Sequence, residues 1–364
     1  MKILMMTSYS FSGRYWQDIA INFKQRSDLL AIASLDTFST PDWSFENNHV
    51  TYLKGNVEPI YLFRLIRLWR AIKGFAPEII QTHLFRAGLI GLLFGKMLRI
   101  PVVVTRHHID EHFQSGTHVH RFLDKLTIKV ADAVIVRSLA AKTWLVEVEG
   151  AESERVFVVN QGFDFDLLSP TELEIVNSKK ELGMREENFN ILCVARYSKT
   201  KGQEFLVEAV STLLTEIPKI RLYFIGPGDS AWLNGLVEEK NINHVTGIFS
   251  SRADIPACLA SADLVVHPSL VDSFSQLLIE VQAVGTAVVA TDIAAAREQI
   301  DDGETGIIVS PRDSEEIAEA IRRLYFDGNL RTEMGKRGSV RVRQKYPIQT
   351  MVDQDLHVLQ SCSN

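Results

Sequence analysis

The sequence predicts an α/β protein built as two doubly wound parallel sheets in series, and three observations carry that reading. Short apolar, β-branched runs recur along the chain, and segments of helical period separate several of them. The pattern stops over a polar stretch near the middle and then begins again. Buried strands alternating with helices give a mostly parallel sheet covered on both faces. With 364 residues, the chain is long enough for two such domains, each with its own core.

In the first half the strand candidates are residues 2–8, 29–34, 50–53, 78–83, 101–107, 133–138 and 156–161, with helical period at 15–26 and 62–75. Residues 167–190, with Ser169-Pro170 and a run of Glu and Lys, read as the connection between domains. Strands resume at 190–196, 221–226, 245–248, 264–269, 287–292 and 306–311. Ligands of such sheets sit outside the carboxyl ends of the strands. With two sheets, the expected site is the cleft they face across.

Composition is that of an ordinary globular protein, 46% hydrophobic and 23% charged. The longest apolar runs are far too short to span a bilayer. The N-terminal run 3–6 reads as a buried first strand rather than a signal peptide. Three widely spaced cysteines form neither a disulfide framework nor a zinc knuckle, which points to a reducing cytoplasm. The net charge of −6 hides an asymmetry. Residues 1–165 carry 19 Lys and Arg against 16 Asp and Glu, and the remainder 20 against 29. Between residues 60 and 138 the ratio is 12 to 5, which suggests an anionic partner on that side. The acidic second half argues against nucleic-acid binding.

Two segments carry the chemistry. Val194-Ala195-Arg196-Tyr197-Ser198-Lys199-Thr200-Lys201-Gly202 follows the first strand of the second half. It puts Arg196 and Lys201 at the carboxyl edge of the sheet, ahead of a helix expected over 202–214. Two cations beside a helix N-terminus suit a diphosphate, although basic loops are commonly just solvated. The second segment runs from Pro268 to Ala283, where Phe274, Leu277, Leu278, Val281 and Val284 form an apolar helical stripe. Asp272, Gln276 and Glu280 lie off that stripe. Two carboxylates eight residues apart along a helix are about 12 Å apart, too far to share a proton but suited to the two ends of an elongated polyhydroxylated ligand. The amides of Phe274, Ser275 and Gln276 between them can receive phosphate oxygens. The plainer reading makes Asp272 an N-cap and Glu280 a solvated residue.

On these two segments the chain resembles the retaining glycosyltransferases of the GT4 family, which have the GT-B fold; the likeness covers nearly the whole chain and is strongest over residues 190–313. The resemblance implies that Arg196 and Lys201-Gly202 bind the diphosphate of a nucleotide-sugar donor. It implies that Asp272 and Glu280 are the family's paired acids, the first on the sugar hydroxyls and the second on the ribose. Asp stands here where Glu is usual, and Ser275-Gln276 where Gly-Leu is common. Gly226 and Gly228 resemble a Gly-x-Gly near the nucleoside, Thr246 a strand facing the base, and the 303–306 loop a characteristic turn. Tyr346-Pro347 and residues 348–359 resemble a terminal helix that crosses back onto the first domain. In the first half, Gly13 resembles the glycine loop that approaches the donor phosphate. His107 resembles a histidine contacting donor sugar or acceptor, with His108 beside it as the alternative. Residues 160–164 resemble a hinge and are taken as structural.

His108-Ile109-Asp110-Glu111-His112 also matches an inverted zinc-peptidase pattern. It follows a strand in a polar loop with no partner acid in a matching helix, so no metal site is expected; His108, His112, His118 and His120 are read as exposed or acceptor-side loop residues. The segment 62–73 is an amphipathic cationic helix. It packs as an outer helix, or it docks on an anionic membrane through Arg64, Arg67, Trp69, Arg70 and Lys73.

The expected architecture is therefore an acceptor domain over 1–166, completed by a crossing helix over 346–364, and a donor domain over 167–345. The expected activity is metal-independent transfer of a sugar from a nucleoside-diphosphate sugar, of UDP or GDP type, to a hydroxyl acceptor, with retention and without a cofactor. A glycan, a lipid-linked compound or a small molecule could accept, in polysaccharide or glycoconjugate biosynthesis at the cytoplasm or its membrane face. A sugar-nucleotide epimerase of the same fold needs an acid/base pair that only Asp272 and Glu280 could supply. A non-catalytic sugar-binding module would have no use for both Arg196 and Lys201.

Overall fold

The computed structural model describes residues 1–8, 22–23, 29–35, 50–52, 61–107 and 118–363. The chain divides into two compact units, Met1–Phe163 with Tyr346–Asn364, and Asp164–Lys345.

The first unit carries a parallel sheet of seven described strands: β1 (Lys2–Thr7), β2 (Leu29–Ser34), β3 (Val50–Tyr52), β4 (Ile79–His83), β5 (Val102–Arg106), β6 (Ala133–Val136) and β7 (Val156–Val158), in the order β3-β2-β1-β4-β5-β6-β7. Alternate side chains feed two cores. Ile3 and Met5 join Ile79, Val103 and Ile135 on one face, while Leu4 and Met6 join Ile80, Val104 and Val134 on the other. This two-sided burial is why the strands read as unbroken apolar runs. The helix Tyr61–Phe75 sinks Leu68 and Ile72 into the second face and leaves Arg67, Arg70 and Lys73 exposed. The helix Ile348–Ser363 covers the first face with Ile348, Met351, Val352 and Leu359.

Inside that contact, Arg137 and Asp355 are fully buried and face each other through two N–O contacts of 3.3 Å. Arg137 also donates to the Val159 carbonyl at 3.2 Å. Burial raises the Asp355 pKa against the pull of Arg137. Phe163 donates its amide to the Tyr346 carbonyl, and Ile348 donates back to Phe163. A Cβ at Gly162 would come within 2.6 Å of the Ile348 Cα, so only glycine lets the two segments meet. The unit boundary thus falls at Phe163, three residues before the position expected from sequence.

The second unit holds β8 (Phe189–Val194), β9 (Ile220–Ile225), β10 (Thr246–Phe249), β11 (Leu264–His267), β12 (Val288–Thr291) and β13 (Ile307–Val309), all parallel, in the order β10-β9-β8-β11-β12-β13. The order reverses between β8 and β11, which makes the gap between their following loops the switch point of the sheet. The stretch read as an interdomain connection is instead an integral helix, Glu172–Leu182, opened by a capping box from Thr171 and Glu174. Ser178 hydrogen-bonds to Cys258, and Ser261 to the Ile175 carbonyl, so its few inward residues are enough to dock it. The polar face that misled the sequence reading is simply the solvent side.

Removing either partner of the Arg137–Asp355 pair leaves a buried charge unpaired. Asp355→Ala should lower unfolding free energy by about 3–5 kcal/mol, measured by denaturant melts, and should destabilise the first unit without loosening the second.

Candidate active site

The two motifs meet at the switch point of the second unit. After β8 the chain turns through Arg196 and Ser198 into a 3-10 turn over Lys199–Lys201, and the helix Gln203–Leu213 begins only after Gly202. Gly202 has φ +62°, and a Cβ there would collide with the carbonyl of Pro268. The backbone of the first motif therefore presses directly on the start of the second. Leu270 seals the approach by donating its amide to the Thr200 carbonyl at 2.9 Å. Fully buried Gln203 donates to the Arg196 carbonyl at 3.1 Å, which holds the exposed Arg196 loop in place.

Lys201 then faces Asp272, Nζ to Oδ2, at 3.0 Å. His267, at the end of β11, brings its Nε2 within 3.7 Å of the same oxygen and within 3.4 Å of the Ser275 hydroxyl. Lys199 is drawn away, with its ammonium 4.1 Å from the Trp232 ring and 3.4 Å from Glu204. Burial opposes the charged form of Asp272, but the His267 ring and the Lys201 charge outweigh it and hold its pKa below the usual carboxylate range. Burial pushes His267 below the usual imidazole value despite Asp272, so its ring is neutral at neutral pH.

The loop 268–275 differs from expectation. The helix spans Gln276–Ala283, so Phe274 precedes it and Asp272 sits in the loop rather than on the helix or at its cap. Ser275 occupies the cap position, and its amide donates to Gln299 Oε1 at 3.1 Å. Of the three amides expected to receive phosphate, that one is already committed. Gln276 is exposed, and Glu280 stands half-buried on the second turn of the helix. Gly226 and Gly228 lie against the Arg196 loop: a Cβ on Gly226 would strike the Ala195 carbonyl, and one on Gly228 would sit 3.7 Å from the Arg196 Cγ. Thr246 is further back. It pairs with Leu222, whereas Phe249 pairs with Ile225 at the carboxyl edge and accepts from the Tyr197 hydroxyl and the Gly226 amide. The residue of β10 nearest the site is Phe249.

In the first unit the carboxyl edge gathers polar groups. His107 follows β5, and its Nε2 lies 3.1 Å from His83 Nδ1 at the end of β4. Burial, then the charges of His107 and Arg137, push the His83 pKa well below the usual imidazole value. Leu84, next in the chain, takes φ +72°, a strained conformation for a branched residue. Gly13, His108 and His112 lie outside the described residues, while His118 and His120 are exposed on the helix His118–Val130. Sequence reasoning missed His83, His267, Gln203 and Gln299. The available signal, for His83 and His267 alone, was a polar residue ending an apolar strand, a position that a buried core alone does not explain. Among the described residues, no group of three or more His, Cys, Asp or Glu could hold a metal, and no helix is long and apolar enough to cross a membrane.

Comparison with known proteins places this geometry. The family model "Glycosyltransferase Family 4" matches residues 26–167 and "Glycosyl transferases group 1" matches residues 175–341. A D-inositol 3-phosphate glycosyltransferase of Corynebacterium aurimucosum is 27% identical over 277 residues, 71% of this chain and 66% of the relative. Its Corynebacterium jeikeium counterpart is 28% identical over 72% of this chain and 68% of its own length. The aligned part thus spans about two thirds of these relatives. Anabaena HepE in complex with UDP superposes with a TM-score of 0.83 at 21% identity, covering 99% of this chain and all of that one. Sucrose-phosphate synthase from Thermosynechococcus elongatus gives 0.81 at 20% identity, covering 99% of each chain. The class is that of the glycosyltransferases, in the GT-B fold. Within it, the two family models together take in most of the chain, residues 26–167 and 175–341, and mark it as a member of the family 4 and group 1 glycosyltransferases.

Two outcomes follow. Gly202→Ala combines a positive φ with a backbone collision and should cost more than about 1 kcal/mol in denaturant melts. The stability contributed by Asp272 is present above the unfolded aspartate pKa of about 4 and is lost as pH falls through its depressed folded value. The melting-temperature gap between the protein and Asp272→Asn should therefore be widest at neutral pH and close in acid.

Proposed function

We propose that the protein transfers a sugar from a uridine diphosphate sugar to a hydroxyl acceptor with retention of anomeric configuration. The observation that carries this reading is the cluster of Lys201, Asp272 and His267 at the β8–β11 switch point, beside exposed Arg196. HepE, of the same fold, was solved with UDP and with UDP-glucose, which supports the uridine donor. Arg196 and Lys201 stabilise the charge that develops on the leaving diphosphate, a task a divalent cation performs elsewhere. Asp272 holds the sugar hydroxyls, Glu280 the ribose, and the loops of Gly226 and Gly228 the nucleoside. His107 meets the sugar or the acceptor. The basic excess between residues 60 and 138 favours an anionic acceptor on the first unit, in line with the phosphorylated inositol in the relatives' names. Contact with an anionic membrane would run through the exposed Arg67, Arg70 and Lys73 side of the helix Tyr61–Phe75, and cosedimentation with anionic vesicles tests it.

Calorimetric titration with UDP, GDP, dTDP and ADP in EDTA is the direct test. Binding of UDP alone supports the reading; binding of none, restored by a divalent metal, refutes the role given to the two cations. Arg196→Ala and Lys201→Ala should each lower kcat by about 10²–10³, read in a UDP-release assay.

A further inference from the structure

The two side chains given adjoining parts of the donor are bonded to each other. Lys201 and Asp272 are 3.0 Å apart, with side chains only 26% and 23% exposed. Lys201 is assigned the diphosphate, and Asp272 the sugar hydroxyls. In the free protein each satisfies the other. We propose that this ion pair occupies the donor site between turnovers, that the intact donor exchanges it for two new contacts, and that its re-formation helps expel the diphosphate product.

The exchange follows from the partners each side chain can find, and it rests on the donor-site reading above. A half-buried carboxylate needs a cation or hydrogen-bond donors, and leaving it without them is costly. When a nucleotide sugar enters, the diphosphate takes Lys201 and the sugar hydroxyls take its place on Asp272. Neither side chain is stranded. When the nucleoside diphosphate enters alone, it claims Lys201 but brings no hydroxyls for Asp272. Asp272 then keeps only the contact with His267, whose ring is neutral, and its negative charge lies near the phosphate that has taken Lys201. The same carboxylate therefore favours the donor over the product. Its depressed pKa keeps it charged throughout the neutral range.

The loop is built to stay in place during the exchange. The Asp272 carbonyl accepts the Ala295 amide at 3.2 Å, and the Ser275 amide is held by Gln299. Gly202 and the Leu270–Thr200 bond fix the base of Lys201. Only the lysine side chain has to swing. His267, 4% exposed behind the carboxylate, is the positioning residue that keeps Asp272 aimed while Lys201 is away.

The experiment is a pair of calorimetric titrations, UDP and UDP-glucose, on the unaltered protein and on Asp272→Asn. The unaltered protein should bind UDP-glucose more tightly than UDP. Asp272→Asn should bind UDP about tenfold more tightly, because Lys201 is released and the nearby negative charge is gone. It should also lose the preference for the sugar nucleotide. UDP binding to the unaltered protein with no gain in Asp272→Asn overturns the exchange. Absence of UDP binding to the unaltered protein overturns the donor-site reading itself, a different result. A crystal structure of the unaltered protein with UDP gives an answer that needs no variant: Lys201 and Asp272 should have separated, and a pair still at hydrogen-bonding distance refutes the proposal.

Discussion

The geometry at the switch point of the second unit depends on one backbone contact, the approach of Gly202 to the carbonyl of Pro268. No side chain fits there, and the positive φ of Gly202 turns the chain from the 3-10 turn into the following helix. That contact sets the distance between two loops that belong to different strands. Lys201 and Asp272 are 71 residues apart in sequence and meet because the backbones beside them touch, at Gly202 and Pro268. Gln203 on one side and Gln299 on the other lock the loops from beneath with buried amide hydrogen bonds. Lys201 and Asp272 are thus carried by loops held from below, a condition for a preorganised site.

The two units solve the same problem with different means. In the second, the polar side chains at the switch point are paired with one another. In the first, they cluster beneath the strand ends, with His83 against His107 and Arg137 against Asp355. That ion pair is long-range in sequence and ties the covering helix to β6. It replaces what an ordinary apolar contact would supply there, and it does so with directionality.

Much of this was legible in the sequence because buried parallel strands leave unmistakable apolar runs. All thirteen described strands fall where those runs lie, to within about three residues at each end. Arg196 and Lys201 were legible as cations at a strand end. What was not legible depends on three-dimensional neighbours. The amphipathic face of Glu172–Leu182 is short and mostly polar, so its helix passed for a linker. The helix Gln276–Ala283 begins two residues later than the apolar stripe from Phe274 implies, because the Ser275 amide finds its partner in Gln299, far along the chain. His83 and His267 look like strand residues until their neighbours are known. Thr246 was read as facing the base, and only the register with β9 shows that Phe249, three residues on, stands at the carboxyl edge.

The meeting of Phe163 with Tyr346 and Ile348 has a consequence for the order of events during synthesis. Residues 164–345 make up the second unit as one continuous segment, so all of it is present as soon as Lys345 has left the ribosome. The first unit, begun much earlier, is not. One face of its sheet stays open until Met351, Val352 and Leu359 arrive. The segment made first is the last to be finished, and through that interval its apolar strands depend on whatever shelters nascent chains.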